Sequence, residues 1–346
     1  MNRYCAVAVD GYEEVVRCDN DQTGFSAWIA INNTNRGPAL GGCRVWNYGS
    51  ADDALEDVLR LSRAMTYKNS LAGLRLGGGK CVVRADLDRI DRVELFELIG
   101  EFVDTLGGRY ITAEDVNSTV EDMAFVKRAT PHVATVGASG NPSPFTAYGV
   151  YCAIKAGVYF VKGRRGISGL RVAIQGLGET GGRLAEMLAT DGCRVLAADI
   201  NRANIHRLKS QVRLEEIDPE AIHRCEFDIF SPCALGGTLN SDTISALQCW
   251  LVAGSANNQL LTRADGYLLD RRSIVYIPDY AANAGGVINI SCEIGRDYDE
   301  LLAWKKTARI GATVTEILRR AAATNTPTSV VADTMAEEFC RLEVPA

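Results

Sequence analysis

Apolar positions along this chain change rhythm several times. Between residues 23 and 48 short apolar runs such as "FSAWIAI" are broken by "NNTNRGPALGG", which is the pattern of strands joined by turns. From Ser50 the spacing lengthens. Leu55, Val58, Leu59 and Met65 recur at near-helical intervals and predict an amphipathic helix with one face on a core. Ser50 can cap its first turn, and Asp52 and Asp53 suit the positive end of the helix dipole. Lys68 emerges where that helix ends. A glycine loop, a strand "KCVVRADL" and a second amphipathic helix "RVELFELIGEFVDTLGG", stopped by two glycines, come next. "RYITAEDVNST" reads as strand then loop, with Asp115 where the strand "YIT" gives out.

Small and turn-forming residues accumulate in "GASGNPSPFTAYGV", residues 137 to 150, the composition of a hinge between domains. Beyond it strand and helix alternate through "GLRVAIQG", "RLAEMLATDG", "CRVLAADI", "EFDIFSPCA", "CWLVAGSAN" and "SIVYIPDY". That alternation predicts an α/β fold with a parallel sheet covered by helices on both faces. A chain of 346 residues, 47% apolar and 23% charged, suits two domains of roughly 150 residues each.

Charge and cysteine usage narrow the partners. A net charge of -6 gives no electrostatic reason to bind nucleic acid or an anionic membrane, so small molecules are the expected partners. No stretch approaches the ~18 uninterrupted apolar residues of a membrane span, and "MNRYCAVAVDGYEEVV" lacks the apolar region of a secretory leader. The 11 cysteines are scattered, odd in number and never spaced C-x-x-C. They read as reduced thiols of a cytoplasmic protein, with no disulfide framework and no metal site. Cys233, in "SPCALGG", has no histidine near it in sequence and is not read as a nucleophile.

The candidate chemistry is carried by lysine and carboxylate. The 3 histidines, His132, His206 and His223, sit in polar segments expected to be exposed. Two of the few lysines, Lys68 and Lys80, stand in "MTYKNSLAGLRLGGGK". The glycines before Lys80 do not make a phosphate-binding G-x-x-x-x-G-K-[ST] loop: Leu74 stands where the first glycine belongs, Cys81 replaces the hydroxyl residue, and a strand follows. Close-packed backbone beside Lys80 would instead hold it from water. Burial disfavours the charged form of a lysine, which is one way to make it an acid/base catalyst.

A dinucleotide site is legible separately. In "VAIQGLGETGG", Gly176, Gly178 and Gly181 form G-x-G-x-x-G after an apolar strand and at the start of a helix, with Glu179 and Thr180 inside the loop. The first glycine permits the turn, the second lets backbone approach a pyrophosphate, and the third lets helix and strand pack closely. Asp199 closes the next strand 23 residues after Gly176, where a carboxylate takes ribose hydroxyls and repels a 2′-phosphate. NAD is therefore expected over NADP, against the proximity of Arg202. Glu179 would repel the pyrophosphate unless it points outward.

"GPALGGCR", "MTYKNSLAGLRLGGGK", "YITAEDVNSTVEDM", "GNPSPFTAYGVY", "DIFSPCALGG", "AGSANNQL" and "PDYAANAGGVIN" together resemble the amino-acid dehydrogenases of the glutamate, leucine, phenylalanine and valine group, and most of all leucine dehydrogenases. The likeness runs over nearly the whole chain. It implies an N-terminal α/β substrate and oligomerisation domain, residues 1–136, and a Rossmann-type NAD-binding domain, 137–325, separated by a cleft; the final helix, about 326–346, returns to the first domain in relatives. It further implies a homo-oligomer that oxidatively deaminates an L-amino acid to the 2-oxo acid and ammonia. By that likeness Lys68 binds the substrate carboxylate with the backbone of Gly41 and Gly42, Lys80 is the general acid/base that positions water, and Asp115 exchanges a proton with the substrate amine. Thr146, Ala256 and Asn258 line the nicotinamide side.

Positions resembling the leucine-type pocket are Leu40, Met65, Ala113, Val287 and Ile290, all apolar. A glutamate side chain there would lose its hydration at several kcal/mol. Branched aliphatic substrates are expected. One methylene is worth only ~1–3 kcal/mol of discrimination, so leucine, isoleucine and valine stay unranked and an aromatic substrate stays open. A 2-hydroxy-acid dehydrogenase would need a histidine acid/base, and a cofactor-binding regulator of the same fold would be marked by loss of Lys68, Lys80 or Asp115. The chain departs from the family in "GLGETGG" and in Asn117, which stands where a glycine is common, beside Asp115.

Overall fold

The computed structural model describes residues 2–20, 23–134, 137–295 and 297–341. The chain divides into two compact units, Met1–Gly140 with Ile290–Tyr298 and Ala336–Ala346, and Asn141–Asn289 with Asp299–Met335. Residues 135–136, at the boundary expected from sequence, and 342–346, the end of the expected final helix, lie outside the described residues.

The first unit contains β1 (Asn2–Ala6), β2 (Glu14–Asn20), β3 (Phe25–Asn33), β4 (Ala39–Trp46), α1 (Ala51–Leu71), β5 (Gly77–Arg84), α2 (Arg92–Asp104), β6 (Tyr110–Glu114) and α3 (Val120–Ala129). Its sheet runs β1-β2-β3-β5-β4-β6. The pairings from β1 to β5 are antiparallel, and β4 is parallel to both β5 and β6. Phe25, Ala27, Ile29 and Ile31 of β3 enter one core with Cys43, Cys81, Tyr110 and the apolar faces of α2 and α3, while Trp28 and Ala30 enter a second core with Ala54 and Val58 of α1. The sheet is thus covered on both faces, which is why "FSAWIAI" is an unbroken apolar run. Ser50 does cap α1, in a capping box with Asp53. The strands β1 and β2 had no clear signal in sequence, because β2 buries only Val15, Cys18 and Asn20, out of strict alternation, and carries Glu14, Arg17 and Asp19 among the rest.

The second unit contains α4 (Ser143–Lys162), β7 (Arg171–Gln175), α5 (Glu179–Thr190), β8 (Arg194–Ala198), α6 (Arg202–Lys209), β9 (Leu214–Glu216), β10 (Ile229–Pro232), α7 (Ser241–Ala246), β11 (Leu251–Val252), α8 (Arg263–Arg271), β12 (Val275–Tyr276) and α9 (Asp279–Ala282). After these come α10 (Gly285–Ser291), α11 (Glu300–Ala308), α12 (Ile310–Thr324) and α13 (Thr328–Arg341). Its sheet runs β12-β11-β10-β7-β8-β9, parallel throughout. Strand order reverses between β7 and β10, so the loops that follow those two strands flank the switch point at which open α/β sheets bind ligands. The division between units falls within α10 and again within α13. In the first unit the end of α13 lies along α1: Tyr67 Oη donates to Glu337 at 2.6 Å, and the Ser70 hydroxyl and Cys340 thiol are 2.9 Å apart.

Candidate active site

In the first sheet β4 separates β5, which carries Lys80, from β6, which ends just before Asp115. Strands two places apart are roughly 10 Å apart, so side chains meet across β4 only if it offers nothing in between. It offers Gly42. A Cβ built at Gly42 would stand 2.7 Å from Asp115 Cβ and 2.6 Å from the Glu114 carbonyl oxygen. Over this bare stretch Lys80 Nζ reaches Asp115 Oδ2 at 3.0 Å. Lys80 is 4% exposed, as burial by close-packed backbone led us to expect.

The glycines before Lys80 are not a loop, contrary to the sequence expectation. They open β5 itself, because their missing side chains are what lets neighbouring backbone close on the strand. A Cβ at Gly77 would lie 1.9 Å from the Asn33 carbonyl oxygen, and one at Gly78 would lie 2.0 Å from the Thr66 nitrogen in α1. Gly79 makes room for the Tyr110 ring, whose hydroxyl donates to the Gly41 carbonyl at 2.6 Å. Helix α1, with Met65 and Lys68, is thereby seated directly on the strand that presents Lys80.

Sequence reasoning missed Arg44. Its Nε donates to Asp115 Oδ2 at 2.9 Å and its Nη1 to Asp57 Oδ2, on α1, at 3.0 Å. Asp57 also accepts from Tyr48 Oη at 2.6 Å and from Arg60 at 2.8 Å. Burial alone would raise the Asp115 carboxyl, but the Lys80 ammonium and Arg44 guanidinium outweigh it and hold Asp115 at about 2. A signal existed in "GGCR": strand alternation puts Arg44 on the same face as Gly42, one step beyond the gap.

Asp115 is further fixed by its own backbone. Its N–H donates to Ser118 Oγ at 2.8 Å, and that hydroxyl donates to the Cys43 carbonyl at 2.7 Å. Asn117 adopts φ of 59°, the left-handed conformation that asparagine tolerates best among residues with a side chain. Its amide donates to the Val45 carbonyl at 3.1 Å. Asn117 thus makes the turn beside Asp115 without a glycine.

Alternation along β4 and β6 places Leu40, 2% exposed, and Ala113, 6% exposed, on the same sheet face as Lys80. Met65 and Lys68 are half-buried on α1 above it. Gly41 lets β4 and β5 approach, since a Cβ there would lie 1.8 Å from the Gly79 carbonyl oxygen. Val287 and Ile290 lie on α10, on opposite sides of the division between units.

In the second unit the glycine loop forms a cradle that suits a dinucleotide. Gly176 has φ of 95°, and a Cβ there would lie 2.8 Å from that of Ala234; a Cβ at Gly181 would lie 2.0 Å from the Gly176 carbonyl oxygen. Around Gly178, by contrast, the described residues place no atom within 4 Å of the built position apart from its chain neighbours, and α5 begins there without a side-chain cap. Unfilled space next to free helix N–H groups fits a pyrophosphate. Thr180 is in the first turn of that helix. Glu179 points outward, 3.7 Å from Arg183 and 67% exposed, so it does not oppose an anion in the loop.

Asp199 follows β8, where Oδ2 accepts the Leu177 N–H at 2.7 Å and Oδ1 the Asn201 N–H at 2.7 Å. It thereby braces the glycine loop. The β10 and β11 loops are knitted together: the Ala256 N–H donates to the Pro232 carbonyl at 3.0 Å and the Gly237 N–H to the Asn258 carbonyl at 2.8 Å. Asn258 has φ of 53°, held by its N–H to Asp279. Thr146 sits in the first turn of α4, its hydroxyl bonded to the Pro142 carbonyl at 3.2 Å. His223, expected in an exposed setting, is instead half-buried, its ring edge-on to Phe230 and bonded to Thr238, because the short helical turn that carries it packs on the sheet.

Residues 12–132 match the model of the Glu/Leu/Phe/Val dehydrogenase dimerisation domain, and residues 194–336 match that of glutamate/leucine/phenylalanine/valine dehydrogenase. A leucine dehydrogenase of Thermoactinomyces intermedius is 44% identical over 94% of this chain and 90% of its own. The chain belongs to the Glu/Leu/Phe/Val dehydrogenase family. A phenylalanine dehydrogenase of the same organism is 42% identical over 98% of this chain and 92% of its own. Among solved structures, L-tryptophan dehydrogenase from Nostoc punctiforme superposes with a TM-score of 0.85 at 38% identity, over 95% of this chain and 96% of that one. As a member of this family the protein is an oxidoreductase acting on CH–NH2 donors and uses a nicotinamide cofactor. No helix among the described residues is long and apolar enough to cross a membrane.

Proposed function

We propose that the protein catalyses the reversible, NAD-dependent oxidative deamination of an L-amino acid with a branched aliphatic side chain, giving the 2-oxo acid and ammonia. The observation that carries this reading is the buried Lys80, 3.0 Å from Asp115 across a bare strand, on a sheet face shared with Leu40 and Ala113. NAD, when bound, supplies the acceptor for the hydride that leaves the substrate Cα. Lys68, with the backbone of Gly41 and Gly42, binds the substrate carboxylate. Asp115, already ionised, takes a proton from the substrate ammonium and so frees the nitrogen lone pair that assists loss of hydride. Lys80, after passing its proton to solvent, positions a water and takes a proton from it as the water adds to the resulting iminium carbon; it returns that proton to the carbinolamine nitrogen, then takes the hydroxyl proton as ammonia leaves and the 2-oxo acid forms.

Leu40, Met65, Ala113, Val287 and Ile290 set the preference. An apolar lining gives a charged side chain nothing to replace its hydration, whereas leucine, isoleucine and valine gain by burial. Gly176, Gly178 and Gly181, with the backbone N–H groups of Glu179 and Thr180, hold the pyrophosphate; Thr146, Ala256 and Asn258 line the nicotinamide side. Asp199 favours NAD, since its carboxylate would repel a 2′-phosphate. The family model's description of residues 12–132 as a dimerisation domain supports a homo-oligomer, and 11 free cysteines support a cytoplasmic location.

The test is NADH production by purified protein at alkaline pH with L-leucine, L-isoleucine, L-valine, L-phenylalanine, L-tryptophan and L-glutamate in parallel. A branched-chain substrate should have the highest kcat/KM; a higher value for phenylalanine or tryptophan would move the assignment to aromatic substrates. Lys80→Ala should lose ~100-fold or more in turnover with NAD binding retained. A variant keeping more than about a tenth of the wild-type rate removes Lys80 from the chemistry.

A further inference from the structure

Resting on the reading of Lys80 and Asp115 as the reacting pair, we propose that Arg44 is a positioning residue that holds Asp115 in place and ionised until it takes the substrate's proton, including when Lys80 has given up its own proton. The geometry behind this is a division of labour at one carboxylate. Both cationic donors converge on Oδ2, Lys80 Nζ at 3.0 Å and Arg44 Nε at 2.9 Å, and Oδ1 accepts no hydrogen bond from the described residues. One oxygen is thus anchored and the other left to receive a proton.

Of the two anchors only one is permanent. A lysine that works as an acid/base loses its charge in the course of the reaction, whereas a guanidinium stays protonated at any pH the protein meets. The Asp115 side chain is 23% exposed, so a carboxylate there without a cation beside it would gain proton affinity from its burial. Arg44 prevents that. It is itself held: Nη1 on Asp57 Oδ2 at 3.0 Å, with Asp57 fixed in turn by Tyr48 and Arg60. A planar fork that engages two carboxylates at once has a set orientation, which a single ammonium cannot reproduce.

The other groups around Asp115 do not substitute for it. Glu114, adjacent in β6, alternates to the opposite sheet face, where Cys43, Cys81 and Tyr110 are buried and supply no positive charge. On α1 the nearby charges are Asp57, Arg60 and Lys68; Arg60 spends its bond on Asp57, and Lys68 is assigned to the substrate.

The experiment compares wild type, Arg44→Met, Arg44→Lys, Asp57→Asn and Lys80→Ala, measuring kcat and KM for L-leucine at alkaline pH and NAD binding by titration. Arg44→Met should lower kcat by ~10- to 100-fold while leaving KM for L-leucine and NAD affinity within about twofold, since the reacting carboxylate is displaced and the binding groups are not. Arg44→Lys should recover part of the lost kcat, because the charge returns without the planar fork. Asp57→Asn should lower kcat by a smaller factor, again with KM kept. If Arg44→Met does not fold, Arg44→Lys and Asp57→Asn carry the test. A kcat within twofold of wild type in Arg44→Met, or in both remaining variants, overturns the proposal, as does a loss that falls on KM rather than kcat, or Arg44→Lys recovering none of the lost kcat. Lys80→Ala separates the two failures. If it keeps more than a tenth of the activity, the reading of the reacting pair has failed; if it is inactive while the Arg44 variants resemble wild type, the role of Arg44 alone has failed.

Discussion

Gly42→Ala tests the gap in β4 through which the reacting pair meets. The perturbation is one methyl group, and its position follows from the backbone. It would stand 2.7 Å from Asp115 Cβ and 2.6 Å from the Glu114 carbonyl oxygen, against 3.4–4 Å for ordinary contact. Relief requires β4 and the end of β6 to part by about 0.7 Å or more, and the neighbours that must yield are backbone and a Cβ rather than the end of a flexible chain. Overpacking of this kind costs ~1–3 kcal/mol of stability. The cost to catalysis is larger, because a displacement approaching 1 Å at a reacting group costs ~100-fold. The expected result is a folded protein, a modest fall in Tm, and a kcat for L-leucine lowered by ~30- to 100-fold with NAD affinity intact. Gly166→Ala is the control, since among the described residues only its chain neighbours come within 4 Å of its built Cβ. A folded Gly42→Ala protein with kcat within threefold of wild type would refute the claim that Lys80 and Asp115 depend on a bare strand between them.

Two further outcomes follow from the geometry. Gly178→Ala meets no atom of the described residues within 4 Å beyond its chain neighbours, so Tm should stay within about a degree; the added methyl occupies the space proposed for the pyrophosphate, and calorimetry should find NAD binding weakened by about tenfold or more. Undiminished affinity would place the cofactor's approach elsewhere. Asp115 sits at about 2 against an ordinary 3.8, so its ionised form stabilises the fold above about pH 4 and that contribution fades as pH falls toward 2. Urea unfolding should therefore show Asp115→Asn less stable than wild type by about 2 kcal/mol at pH 7, with the gap closing at pH 2.5. A gap independent of pH would mean that the ion pair contributes nothing.

Much of this protein is written in short-range patterns. The cap at Ser50, the apolar stripe of α1, the strand–helix alternation of the second half and the spacing of Gly176, Gly178 and Gly181 are local signals, because turns, caps and helix faces involve residues a few positions apart. Lys80 could be singled out because lysine is scarce and the glycines before it mark close-packed backbone, whereas Asp115, one of 43 acidic residues, was marked out by the resemblance of its segment to the family. What sequence could not decide was who stands beside whom. Arg44 and Asp115 are 71 positions apart, and they meet only because the sheet orders its strands β5-β4-β6. The glycines at 77–79 read as a loop because no local rule says that α1 must lie against that backbone. Asp199 read as a ribose ligand, and only the folded chain shows it also bracing Leu177. Residue types set which groups could react, while the order of strands, a long-range outcome of burying both sheet faces, decided which of them touch and therefore how their charges are held.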